Sequence, residues 1–367
     1  MNWGKMKKNN SEMGYKPMFF RLNNSAEKAH FLELLSTKNY INIYDQIEFQ
    51  IKDLIKCKNP KIKFTIELLE EFYLNFVKDI TLDNYGVWVY YPWSNSMVHI
   101  LDEADFIEVR TNRNKHKITL EEQKKLAKQK VGVIGLSVGQ SVSLTLAMER
   151  SFGELRIADF DVLDLSNLNR IRTGIHNLNI PKTVVVAREI AEIDPFLKIT
   201  CFHEGVNENN LDSFLTEGGK LDVLIDECDS LDIKIKARLK ARELGIPVLM
   251  DTSDRGMLAF ERFDLESNRP IFHGLISDES LFYSVTTSED FFELALKILD
   301  EDKISERMRL SIKEIGETIL TWPQLAASVI AGGGITAEVY RKIVLNSGVS
   351  SGRYYIDFDV ISGKSEV

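Results

Sequence analysis

Cysteine is scarce in this chain. Cys57, Cys201 and Cys228 are the whole supply in 367 residues, and none forms a CxxC pair or stands near histidines at metal-ligand spacing. A structural zinc site is therefore disfavoured. Long apolar runs are also missing: nothing approaches the roughly 18 uncharged apolar residues of a membrane span. Lys5, Lys7 and Lys8 make the N-terminus basic, but no apolar core or small-residue cleavage site follows. The expectation is a soluble, cytoplasmic chain with no membrane partner. Cations are in deficit, 46 Lys and Arg against 55 Asp and Glu, for a net charge of -9, which argues against broad nucleic-acid binding. The basic group Lys115, Lys117, Lys124, Lys125, Lys128 and Lys130 reads as the wet face of a helix. No internal repeat or low-complexity linker occurs.

The length allows two ordinary domains. Residues 1 to about 20 are polar and read as a loosely held terminus. From Ser25, and again over Ile66 to Ile80, apolar spacing predicts helices. Val87 to Trp93 and Met97 to Leu101 predict a β-hairpin. Its aromatics Trp88, Tyr90, Tyr91 and Trp93 suit packing better than a stacking platform for a ligand. Residues 1–105 thus form a smaller α+β region, a candidate for substrate or partner recognition.

Residues 106–367 change character. Short apolar strands at Lys130 to Leu136, Leu155 to Asp159, Ile199 to His203, Val223 to Ile225 and Val248 to Met250 alternate with helical patterns. That alternation predicts an α/β fold, Rossmann-like, with a mainly parallel sheet covered by helices on both faces. Beyond Asp254 the pattern predicts a strand at Met257 to Phe263 and helices at Glu289 to Leu299 and Ile304 to Ile315. A longer helix, Gln324 to Leu345, is expected to be interrupted by Gly332, Gly333 and Gly334, and Tyr354 to Val360 reads as an edge strand.

Such sheets bind ligands beyond the carboxyl ends of their strands. The first strand runs into Gly135-Leu136-Ser137-Val138-Gly139-Gln140-Ser141 and then a helix, whose N-terminus favours phosphate. The next strand ends in Asp159-Phe160-Asp161, where an acid can hold ribose hydroxyls. NAD and ATP fit these features equally. Asn167, Arg170 and Lys182 separate them: hydride transfer has no use for a carboxamide and two cations there, whereas attack on a triphosphate needs fixed positive charge. Asp229, after the fourth strand, suits Mg2+ or an N-cap on the following helix.

Asp159 to Arg170, Asp-Phe-Asp-Val-Leu-Asp-Leu-Ser-Asn-Leu-Asn-Arg, resembles the long signature of the ThiF/MoeB/ubiquitin-E1 adenylating family, supported by Ile180-Pro181-Lys182, Ile193-Asp194-Pro195 and Ile225 to Ser230. The resemblance covers about 107–255. It implies ATP and Mg2+ as cofactors, adenylation of a carboxylate, and a carboxylate-bearing substrate such as a ubiquitin-like protein, a peptide or a small molecule. It implies that Asp159 holds ribose, with Asp161 beside it, that Gly135, Ser137, Gly139 and Ser141 cradle phosphate, and that Asn167 and Arg170 contact the triphosphate. It further implies that Lys182 stabilises the α- and β-phosphates, Asp229 binds Mg2+, and Arg113 reaches the γ-phosphate across a homodimer. The chain departs from the family's glycine turn at Ser137, Val138 and Gln140, and no cysteine follows Cys228. Together the two departures leave open a catalytically impaired binding module for a peptide or protein partner. The second points to a mechanism without a thioester step.

Overall fold

The structure, a computed structural model, describes residues 13–38, 40–276 and 288–363. They fall into two compact units: the chain up to Glu121 with Ala191–Phe196, and Glu122–Ile190 with the chain from Leu197 onward.

In the first unit the elements are β1 (Met18–Phe20), α1 (Ser25–Thr37), β2 (Asn42–Asp45), α2 (Ile47–Lys58), α3 (Ile66–Val77), β3 (Val87–Tyr91), β4 (Ser96–Ile100) and α4 (Glu103–Arg110). The expected hairpin is present as antiparallel β3 and β4, widened by β1 and β2 into a four-stranded sheet of order β1-β3-β4-β2. Alternation sorts the aromatics as strand geometry requires. Trp88 and Tyr90 pack with Phe20, Phe31 and Met97 on one face, while Val87, Val89 and Tyr91 meet Ala191 and Phe196 on the other. The aromatic run is core. The sequence reading leaves α2 without an element although Ile47, Ile51, Leu54 and Ile55 are buried at helical spacing. β1 and β2 span only three and four residues, too few for periodicity to reveal.

The second unit contains β5 (Lys130–Ile134), α6 (Gly139–Glu149), β6 (Glu154–Ala158), β7 (Lys198–Phe202), α8 (Leu211–Thr216), β8 (Val223–Asp226), α9 (Leu231–Leu244), β9 (Val248–Thr252) and β10 (Met257–Glu261), with α5 (Leu120–Leu126) from Glu122 and α7 (Lys182–Ile193) as far as Ile190. α10 (Ser288–Leu299), α11 (Glu306–Glu314), α12 (Ala326–Val344), β11 (Gly352–Tyr355) and α13 (Phe358–Ile361) follow. The seven-stranded sheet has the order β11-β10-β9-β8-β5-β6-β7. β9, β8, β5, β6 and β7 run parallel, and β10 and β11 are antiparallel additions. Strand order reverses between β5 and β8, so their carboxyl ends open a crevice at the switch point. β6 and β8 are buried along their whole length because helices cover both faces. Among the described residues, no helix is long and apolar enough to cross a membrane.

Two sequence expectations need correction. The triple glycine does not interrupt α12, which is continuous from Ala326 to Val344. The glycines instead permit close approach: a Cβ on Gly332 would overlap the Asp251 carboxylate, and one on Gly333 would overlap Ser141 of α6. Gly334 faces open space. Gly332→Ala and Gly333→Ala are therefore expected to destabilise by about 1–3 kcal/mol, and Gly334→Ala to stabilise by about 1 kcal/mol through helix propensity. Thermal unfolding of the three variants checks the order. The second correction concerns the closing strand, which ends at Tyr355, because Asp357 caps a short helix by accepting from the Asp359 amide and pairs with Arg255 at 2.6 Å.

Candidate nucleotide and substrate site

Gly135 leaves β5 at φ +85, a conformation that L residues resist, and a Cβ there would lie 2.6 Å from the Glu227 carbonyl oxygen. The first turn glycine is thus required twice over. Ser137, Val138 and Gln140 all keep negative φ, so the departures from the glycine pattern carry no left-handed strain. Their side chains have local work. Ser137 Oγ accepts from Arg170 Nε at 3.1 Å and Nη2 at 2.8 Å. Gln140 is buried and turned toward Arg172 and Glu189: it donates to Glu189 Oε2 at 2.7 Å and accepts from the Arg172 amide at 3.0 Å.

Asp159 binds the turn to the end of β6. Its Oδ2 accepts from the Leu136 amide at 2.7 Å and its Oδ1 from the Asp161 amide at 2.8 Å. Burial pushes its pKa up, and the Lys182 ammonium, 3.9 Å from Oδ1, opposes that. Lys182 starts α7, is buried, and donates to Asp161 Oδ2 at 2.8 Å. Burial lowers the pKa of Arg170, and the nearby Asp229 carboxylate pulls in the other direction. Asp229 stands exposed at the strand end. The N-cap of α9 is Ser230, so Asp229 has no capping duty. One free carboxylate with phosphate oxygens and water is a donor set that fits Mg2+.

Two cavities meet here. A smaller one, about 100 Å³, is lined by Gly135, Ser137, Asp159, Asp161, Lys182 and Asp229 together with apolar Val206 and Ile233. A larger one, about 190 Å³, opens beside it and includes Arg170, Lys234, Asp251, Met257, Trp322 and Tyr355. Glu227, Cys228 and Asp229 border both.

Residues 110–261 match the model described as the ThiF family. The chain carries a ThiF-family domain. It is 45% identical over 271 residues to the uncharacterised protein MT1398 of Mycobacterium tuberculosis, covering 74% of this chain and 38% of that one. It is 26% identical over 174 residues to a molybdopterin-synthase adenylyltransferase of Haemophilus influenzae, covering 46% and 69% of the two chains. Among solved structures, E. coli tRNA N6-threonylcarbamoyladenosine dehydratase aligns over 67% of this chain and 97% of its own at 16% identity and a TM-score of 0.48. The chain spans a little over a third, 38%, of the length of MT1398.

Within the ThiF-family domain the expected residues separate into groups. Gly135, Ser137, Asp159, Asp161, Lys182 and Asp229 converge on the smaller cavity, and Arg170 lies on its neighbour. Three others serve the scaffold. Gly139 packs against Val133, the Ser141 hydroxyl faces Gly333, and the Asn167 Oδ1 accepts from the Asp164 amide at 3.0 Å. Arg113 sits in a short 3-10 turn, Asn112–Asn114, of the first unit.

Sequence reasoning missed a buried ionic cluster beneath the site. Asp226 accepts from Arg238, which also donates to Glu261 at 2.8 Å, and Lys234 lies 3.1 Å from Asp226. Lys234 and Arg238 stand four apart on one face of α9, so their spacing was the available signal. The two cations hold the Asp226 carboxyl down at about 2 against the pull of burial. Glu227 and Asp251 are less well compensated, since the Lys234 ammonium pulls Glu227 down without outweighing burial. The Asp251 amide donates to Glu227 Oε1 at 3.1 Å, burial pushes Asp251 up to about 7, and burial beside Asp251 raises Glu227 as well. A carboxyl raised in the folded state costs stability as pH climbs from its unfolded value, about 4, to its folded one. Asp251→Asn removes that cost. Its melting temperature should rise relative to the parent between pH 5 and pH 8 and converge with it below pH 4, as followed by circular dichroism.

Cys228 is poorly suited to carry a thioester. Burial and the adjacent Asp226 carboxylate raise its thiol pKa, which disfavours the thiolate, and Sγ contacts Asp226 Oδ1 at 3.1 Å.

Proposed function

We propose that the ThiF-family domain uses ATP and Mg2+ to adenylate a carboxylate, with no cysteine thioester step. The observation that carries this reading is the convergence of Lys182, Asp159 and Asp229 on the cavity at the β5/β8 switch point, bordered by a second cavity for the other reactant. Val206 and Ile233 offer an apolar wall for a base, and Asp159 an acceptor for ribose. In the reaction, a carboxylate oxygen attacks the α-phosphorus, the new P–O bond forms, and the bond to pyrophosphate breaks with its electron pair. Lys182 and Arg170 are fixed cations against which that charge develops. Asp229 would hold Mg2+, which supplies further neutralisation at the phosphates.

The strain-free turn weakens one of the two supports of the impaired binding module, the altered glycines, and the other, the lack of a cysteine after Cys228, fits adenylation without a thioester equally well. The substrate classes that fit are a C-terminal carboxylate of a peptide or ubiquitin-like protein, or a small acid. A homodimer in which Arg113 reaches the γ-phosphate of a second copy, acting in the cytoplasm where ATP is supplied, belongs to the same reading. The test is carboxylate-dependent exchange of labelled pyrophosphate into ATP. Exchange with one class of carboxylate is expected; none with glycine-terminated peptides, amino acids or small metabolite acids would sink the reading.

A further inference from the structure

The larger cavity has about 190 Å³ of room, more than a carboxylate alone can fill. Its walls come from two parts of the chain. α9, β9 and β10 give Leu231, Met250 and Met257, inside the ThiF-family match. The other side is Ala295 and Ile298 of α10 with Trp322 from the segment between α11 and α12, all beyond residue 261, where that match ends. Asn169 ties this segment to the loop after β6 by donating to the Gln324 carbonyl at 2.8 Å. Residues outside the family match therefore help to shape what the cavity accepts.

The chemistry of those walls favours an apolar body with one charged end. An apolar cavity of about 150 Å³ is enough for benzene, so this one takes a six-membered ring on a short arm. Lys234 and Lys303 also line it, but they lie 3.1 Å from Asp226 and 3.0 Å from Asp300, and neither offers spare charge to a second anionic group. Burial raises Glu227 and Asp251 toward their neutral forms. Arg170 stands near Asp229, which borders both cavities, and is the cation placed to meet a carboxylate there. A glycine-ended tail would leave the apolar walls unfilled and forfeit their contacts.

We propose that the larger cavity holds the body of the acyl substrate, and that the acid adenylated is a small arylalkanoic acid. The assignment rests on the adenylation reading for the reaction but not for the binding. With its ring against Met250, Met257 and Trp322, the acid brings its carboxylate to the border with the nucleotide cavity. One carboxylate oxygen there forms the bond to the α-phosphorus, and the bond to pyrophosphate breaks with its electron pair. Ala295 and Trp322 act as specificity-determining residues, because the small side chain leaves room for the ring and the large one gives it a wall.

Calorimetry of the full chain with 3-phenylpropanoate, propanoate and N-acetylglycylglycine tests the cavity separately from nucleotide chemistry. The expected result is saturable binding of 3-phenylpropanoate, tighter by about thirtyfold or more than that of propanoate or the glycine-ended peptide. Pyrophosphate exchange should follow the same order. Ala295→Phe places a ring in the space and should narrow the preference by about tenfold. Trp322→Ala, on a different element, removes a wall, should narrow it by a similar factor, and guards against a folding defect in the first variant. Equal affinity for 3-phenylpropanoate and propanoate, no binding of either, or the parental preference in folded Ala295→Phe and Trp322→Ala would overturn the assignment. Exchange that prefers propanoate or the glycine-ended peptide would remove the arylalkanoic substrate and leave adenylation standing. Binding of 3-phenylpropanoate without exchange would keep the cavity's ligand and remove its role as the adenylated acid.

Discussion

Arg238→Ala is expected to cost about 3–5 kcal/mol of folding stability, the penalty typical of removing one member of a buried ion cluster. The guanidinium is only 1% exposed, and the two acids it serves, Asp226 and Glu261, are just as inaccessible to water. Lys234 reaches Asp226, but nothing replaces the 2.8 Å contact from Arg238 Nε to Glu261 Oε2. The Phe272 ring, with Arg238 4.5 Å above its centroid, also loses its cation. Denaturant midpoints measure the loss. The pH dependence gives an independent sign. Asp226 is held at about 2, below its unfolded value of about 4, so its contribution is present above pH 4 and fades as pH falls toward 2. Arg238→Ala should shrink that acid limb, because one of the two cations depressing Asp226 is gone. Replacing Arg238, Asp226, Glu261 and Lys234 together by apolar residues of similar volume should recover much of the stability, since the desolvation penalty leaves with the charges.

Lys182→Ala is expected to lower the rate of pyrophosphate exchange by about 10²–10³-fold, the range for losing a preorganised group at developing negative charge. Arg170→Ala should fall in the same range. Unlike Arg238, these residues can be removed without wrecking the fold. Losing Lys182 leaves the half-exposed Asp161 to water and the buried Asp159 to its two backbone amide donors, and Arg170 is held by the Ser137 hydroxyl and the Asn169 side chain. The contrast is the diagnostic: melting temperatures near the parental value with exchange lost for Lys182→Ala, and a large fall in stability for Arg238→Ala. Loss of exchange in Lys182→Ala only in proportion to loss of folded protein would count against a role at phosphate.

Legibility in the sequence followed distance along the chain. The alternation of β5 to β9 with helices was readable because each buried strand and each amphipathic helix writes its own period. The glycine turn, Asp159, Lys182 and Asp229 were readable because they cluster at strand ends in one ordered signature. The triple glycine misled, since helix propensity counts its cost but cannot see that Gly332 and Gly333 meet Asp251 and Ser141 from distant elements. The partners of Gln140 and Ser137, Glu189 and Arg170, are likewise too far along the chain to be read from the turn.

By itself, then, the sequence determined the α/β class, the site at the strand ends and the group of residues gathered there, because hydrophobic period and turn chemistry are local properties. Tertiary structure alone decided which residues face the cavity and which support the scaffold. It turned Ser141 and Asn167 inward, paired Arg238 with Asp226 and Glu261, and buried Glu227 beside Asp251. Those outcomes depend on which charges lose water together, and only the packing of residues far apart in the chain sets that.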